Sequence, residues 1–90
     1  MSYKFSPGQV VFTPGAIDFL QENNVEFRKL LRRHISGDWG DLCEEDQKAN
    51  DWSVNNEARI LSSYKIGSGK VWIITEADRS ATTFLLPSEY

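Results

Sequence analysis

RILSSYKIGSGKVWIITEADRSATTFLLP, Arg59–Pro87, is the stretch that decides the fold. Its three apolar runs, RILSSYKI (59–66), KVWIIT (70–75) and TTFLLP (82–87), are rich in aliphatic, aromatic and hydroxyl residues and have the length of strands. GSG at 67–69 and EADRS at 76–80 supply the turns. Pro87 has no N–H to give to a ladder and ends the last run. The pattern predicts a three-stranded antiparallel meander. Paired across GSG, its strands put Ile60, Tyr64, Trp72, Ile74 and Leu85 on one face, and Leu61, Val71, Ile73, Phe84 and Leu86 on the other. Both faces are then apolar, whereas an antiparallel sheet with one wet face alternates apolar and polar. Helices can cover one of them. The second is left for the first strand and the termini, for a second copy of the chain, or for another protein.

Upstream the periodicity is helical. GQVVF (8–12) reads as a short strand. Thr13 then stands as N-cap and Pro14 at the first helical position, where its missing N–H costs nothing. Ala16, Ile17 and Leu20 form the apolar face of this first helix, and Asn23 or Asn24 ends it. In NVEFRKLLRRHISG, Phe27, Leu30, Leu31, His34 and Ile35 recur at helical spacing, and Gly37 sits where a left-handed C-terminal residue is wanted. Asp41 followed by Glu44 has the pattern of a capping box, which predicts a third helix over 42–50, with NNEAR as a turn. The expectation is a single α+β domain over 1–90: an N-terminal strand, three short helices and the meander.

Charge is unevenly spread. The net −3 divides into +2 over 1–37, −6 over 38–57 and +1 over 58–90, so an acidic segment interrupts a balanced chain. Nucleic acid is therefore an unfavoured partner. No apolar run is long enough to span a bilayer, and MSYKFSPGQ has no secretory core. A single cysteine, Cys43, fits a reducing cytoplasm. The basic row Arg28, Lys29, Arg32 and Arg33 lies opposite the apolar stripe of the second helix, and reads as a solvated face or a phosphate-binding one.

HISGDWGDL (34–42) concentrates chemistry: an imidazole, two carboxylates, an indole and two glycines. Its simplest reading is structural. His34 lies on an apolar stripe, Asp38 and Asp41 are turn and cap residues, and Trp39 packs the loop on the core. The sharper reading makes His34, Asp38 and Asp41 meet Glu76 and Arg79 of TEADRSATT in one shallow site for phosphate-ester or nuclease chemistry. Trp39, Trp72, Asp78 and Arg79 are the candidate binding residues. No metal-ligand spacing is present, and no cofactor is implied.

His34 with GDWGD (37–41), Asp46, Asn50, RILSSY (59–64) and KVWIITEADRSATTFLLPSEY (70–90) resembles a group of short proteins of bacterial plasmids and integrative elements. That resemblance implies a setting, mobile DNA in a bacterial cytoplasm, and carries no catalytic residue with it. Small acidic proteins of that setting often act against restriction or CRISPR systems, an association by setting and not by site. The element order is also similar in outline to RelE-like ribonuclease toxins, but those are basic and this chain is not. The expected function is a non-enzymatic protein that binds another protein or a second copy through its sheet face, Trp39 or the acidic segment. A small enzyme built on the loop cluster is the alternative.

Overall fold

The computed structural model describes residues 3–90. Strand β1 (Gln9–Phe12) leads into α1 (Pro14–Glu22), α2 (Phe27–Ile35) and α3 (Glu44–Asn56), followed by β2 (Ile60–Ile66), β3 (Gly69–Thr75) and β4 (Ala81–Leu85). A single helical turn, Pro87–Glu89, closes the chain. The architecture is α+β, as expected. β2, β3 and β4 form the antiparallel meander, and β1 adds to it parallel to β4, giving a mixed sheet in the order β1-β4-β3-β2.

The first helix starts as its chemistry demands. Thr13 Oγ1 accepts from the Ala16 N–H at 3.1 Å, and Pro14 occupies the first turn. The second ends at Gly37, whose φ of +90° is open to glycine at little cost. α3 departs from the expectation at both ends. It begins at Glu44, with Cys43 before it and no side-chain cap, so Asp41 is not a helix cap. It also runs through Asn56 instead of stopping at Asn50. The Ser53 carbonyl takes the N–H groups of Glu57 and Ala58, and Arg79 adds bonds to the Ser53 carbonyl at 2.9 Å and to that of Ala58, just past the helix, at 2.7 Å.

The sheet faces also need correction. The β2–β3 turn is a two-residue loop, Gly67-Ser68, with Ile66 opposite Gly69 and Gly67 at φ +59°. Counting GSG as three loop residues displaces the register by one, which moves every β2 side chain to the other face. In the observed register Ser63 lies opposite Trp72, and Tyr64 opposite Val71. The first face therefore carries Ile60, Ser62, Tyr64, Val71, Ile73, Thr75, Thr82 and Phe84, all of them buried. α1 and α2 cover it through Ala16, Leu20 and Leu30, with Phe12 and Phe27 packed against Phe84. Leu61, Ser63, Trp72, Ile74, Thr83 and Leu85 form the second face.

Among the described residues no helix is long and apolar enough to cross a membrane.

Candidate functional site

His34 is wholly buried, and both ring nitrogens are engaged. Nδ1 lies 2.5 Å from Ser62 Oγ, and Nε2 lies 2.8 Å from Thr75 Oγ1. Thr75 continues to Thr82 at 2.7 Å, and the Thr82 hydroxyl donates to the Pro7 carbonyl at 2.7 Å. Hydroxyls at alternate positions of β2, β3 and β4 thus point inward and form one chain through the imidazole. Phe5 packs edge-on against the ring at 5.3 Å, Trp39 lies 6.0 Å away, and Phe5 stacks on Trp39. Burial away from water, and secondarily the Arg79 charge, push the His34 pKa down to about 3. A neutral imidazole can donate through one nitrogen and accept through the other, which matches two hydroxyl neighbours. This histidine joins strands to α2 and has no path to solvent past Phe5 and Trp39.

The GDWGD loop closes a sheet edge. β2 is an outer strand, and the outward N–H and C=O groups of Leu61, Ser63 and Lys65 need partners. Asn50 supplies an amide that imitates a strand: its Nδ2 donates to the Leu61 carbonyl at 2.7 Å, and its Oδ1 accepts from the Leu61 N–H at 3.3 Å. Ser63 donates to the Trp39 carbonyl at 3.2 Å and accepts from the Asp41 N–H at 2.6 Å. Lys65 donates its N–H to the Asp41 carboxylate at 2.7 Å. Gly40 at φ +76° brings the loop flat against β2. Asn50→Ala removes two of these bonds and leaves the buried edge of Leu61 unpaired. The expected loss is about 2 kcal/mol, a melting temperature roughly 10 °C lower by scanning calorimetry.

Asp38 stands beside this seal. Its carboxylate pairs with Arg33 at 2.7 and 3.3 Å and accepts from the Gly40 N–H, and the Arg33 bond holds its pKa below the usual carboxylate range. The Asp38 carbonyl accepts from the Tyr64 hydroxyl at 2.6 Å, while the Arg33 guanidinium lies over the Tyr64 ring. Burial pushes the Tyr64 pKa up. Trp39 is buried, and its indole N–H donates to Asp51 of α3 at 3.0 Å.

Arg79 is the tie of the β3–β4 turn. Besides Ser53 and Ala58, its guanidinium meets the carbonyls of Glu76 and Ala77 at 3.1 and 3.2 Å, and it lies over Phe5. Asp78 accepts from the Ser80 N–H, and the Ser80 bonds lower its pKa. Glu76 is exposed and enters these bonds only through its backbone.

Of the two sequence loops, then, only His34 and Arg79 come together, through Phe5. Asp41 sits at Lys65 and Arg79 at Ala58, roughly 20 Å apart along β2 by strand rise. Among the described residues no three His, Cys, Asp or Glu side chains gather to hold a metal.

The second sheet face offers a surface of another kind. Leu61, Trp72, Thr83 and Leu86 are half-buried, and the Tyr90 ring meets Trp72 at 5.7 Å with the Arg59 guanidinium 5.1 Å above it. Ser63, Ile74 and Leu85 of the same face are buried. On α3, next to Asp51, Trp52 is 61% exposed. Sequence reasoning placed Trp72 here but did not find Arg59, Trp52 or Tyr90. It also missed a groove of about 680 Å³ between β1, α1 and α2, lined by Phe12, Ile17, Val25 and Phe27. No family profile, curated protein or solved structure matches this chain.

Proposed function

We propose that the protein acts by binding another protein through the second face of its sheet. One observation carries this: Trp72 meets the exposed Tyr90 ring edge-on with Arg59 over it, on a face that also carries half-buried Leu61 and Thr83. Trp, Tyr and Arg are the side chains that dominate interface energetics, because they bury large areas at low cost in conformational entropy. The polar candidates other than the exposed Glu76, by contrast, are committed to the fold. His34 holds three strands to a helix, Asp41 seals β2, and Arg79 caps α3. That distribution favours binding over catalysis.

The likeness of GDWGD (37–41) and KVWIITEADRSATT (70–83) to mobile-element proteins supports a host restriction or CRISPR component as the partner. An exposed, unpaired Cys43 suits the cytoplasm where such a partner resides. Affinity capture from a nuclease-treated bacterial lysate tests the reading. The wild-type chain should retain a defined protein, and Trp72→Ala should weaken that retention by about 30-fold or more, as truncating a hot-spot residue does. Because Trp72 is only half-buried, the variant should stay folded by circular dichroism. Equal capture by wild type and Trp72→Ala would remove this face from the function, and a catch that nuclease abolishes would return nucleic acid as the partner.

A further inference from the structure

The two edges of the sheet are treated in opposite ways. β2 is sealed by Asn50, by the Trp39–Asp41 bridge and by the Asp41 carboxylate. β1 is left open. The Gln9 and Thr13 N–H groups turn inward, donating to the Ser80 and Phe84 carbonyls at 3.0 Å each, so the backbone groups of Val10 and Phe12 turn outward. Among the described residues nothing pairs with them. Natural edges are blunted by shortness, by lysine, by proline within the strand or by a bulge. Gln9–Phe12 is short, at four residues, but carries no lysine, proline or bulge, and Pro7 and Pro14 frame the strand without interrupting it. We propose that β1 pairs antiparallel with β1 of a second copy of this chain, joining the two sheets into one.

The pairing is self-complementary. A two-fold axis at Val11 sets Val10 of each copy opposite Phe12 of the other, and each such pair exchanges both of its backbone bonds. Val11, 37% exposed, then lies against Val11 of the other copy on the second face. On the first face the two apolar grooves meet, bringing 42%-exposed Ile17 together with Phe12 and Phe27. Charge favours a copy as the occupant. A two-fold axis opposes every charge on its line to itself, and this edge carries none. At the groove rim Glu26 and Arg28 lie 3.7 Å apart, an acid and a base that the axis can cross-match. A four-residue ladder alone covers far less than the roughly 800 Å² per partner of a stable interface, so the grooves must close as well. A micromolar association follows.

Sedimentation equilibrium from ~1 to ~500 µM, which brackets micromolar dissociation constants, tests the pairing. Wild type should pass from monomer to twice the monomer mass. Val10→Pro removes an outward donor while leaving the β1–β4 ladder intact, and should stay monomeric. Val11→Lys and Val11→Glu, at an exposed position, should each stay monomeric alone, and an equimolar mixture should recover the dimer. Three results overturn the proposal: a wild type monomeric throughout, a dimer that survives Val10→Pro and Val11→Lys, or a mixture that fails to recover. Trp72→Ala should dimerise as wild type does, so loss of the partner-binding face and loss of the edge pairing are read separately. Should Val10→Pro fail to fold by circular dichroism, the Val11 charge pair decides.

Discussion

Replacing His34 with alanine should lower the unfolding free energy by about 4 kcal/mol, measured by urea titration above pH 7. Two effects add. The imidazole leaves a void under Phe5 and Trp39, and the buried hydroxyls of Ser62 and Thr75 lose a partner. A domain of this size has about 5–13 kcal/mol in total, so the variant should be marginal at 37 °C. The same residue sets a pH dependence. In the unfolded chain the ring titrates near ~6.5, and in the folded protein its pKa is pushed down to about 3. Between those values the unfolded state holds the extra proton. Stability is therefore complete above ~6.5 and falls as pH drops toward 3, by up to about 1.4 kcal/mol per pH unit. Asp38 and Asp78 are held below the usual carboxylate range, outside the interval between pH 6.5 and 5. His34 is the chain's single histidine, so a slope between pH 6.5 and 5, present in wild type and absent in His34→Ala, is its own signature. A flat wild-type profile over that interval would show that the buried ring is not held neutral.

Gly40→Ala should cost about 3 kcal/mol or more. At φ +76° the new Cβ would run into the Ser63 carbonyl oxygen and stand 2.7 Å from the Tyr64 ring. Backbone cannot swing aside as a flexible side chain can, so the bridge to β2 must open. That frees the Ser63 and Lys65 edge as well, and the variant should aggregate on heating, as light scattering would show. Gly67→Ala is the control. Its φ is +59°, but the added carbon meets only Asn23 Oδ1 at 3.1 Å, and a loss of about 1 kcal/mol is expected from strain alone. Similar losses at both glycines would mean that the conformation, and not the contact with β2, is what Gly40 supplies.

The difference between those glycines shows where sequence reading stops. Local chemistry was legible: Thr13-Pro14 starts a helix, Gly37 ends one, and three β-rich runs make a meander. Each depends on residues within a turn of one another. Long-range partners were not legible. Asp41 and Glu44 have the spacing of a cap, yet the Asp41 carboxylate goes to Lys65, 24 residues on. α3 runs past its expected end, and near its last turn the Ser53 carbonyl accepts from Arg79, 26 residues on. The Gly67-Ser68 turn shows the cost of one miscounted residue, since it placed Tyr64 on the wrong face. His34 was legible as a core histidine from its stripe. Its partners were visible only as hydroxyls at alternate strand positions.

The parallel ladder between β1 and β4 has a kinetic consequence. Gln9 and Ala81 lie about 70 residues apart, so of the sheet's three strand pairings this one closes the longest loop. A ribosome delivers β1 early and must make nearly everything else before its ladder partner exists. The meander and the helices can form from nearby contacts; this zipper waits. Amide protons of Val11 and Thr13 should accordingly be among the last to gain protection in pulse-labelled refolding. Until then the Gln9–Phe12 segment is an uncharged, sticky ribbon with both rims free.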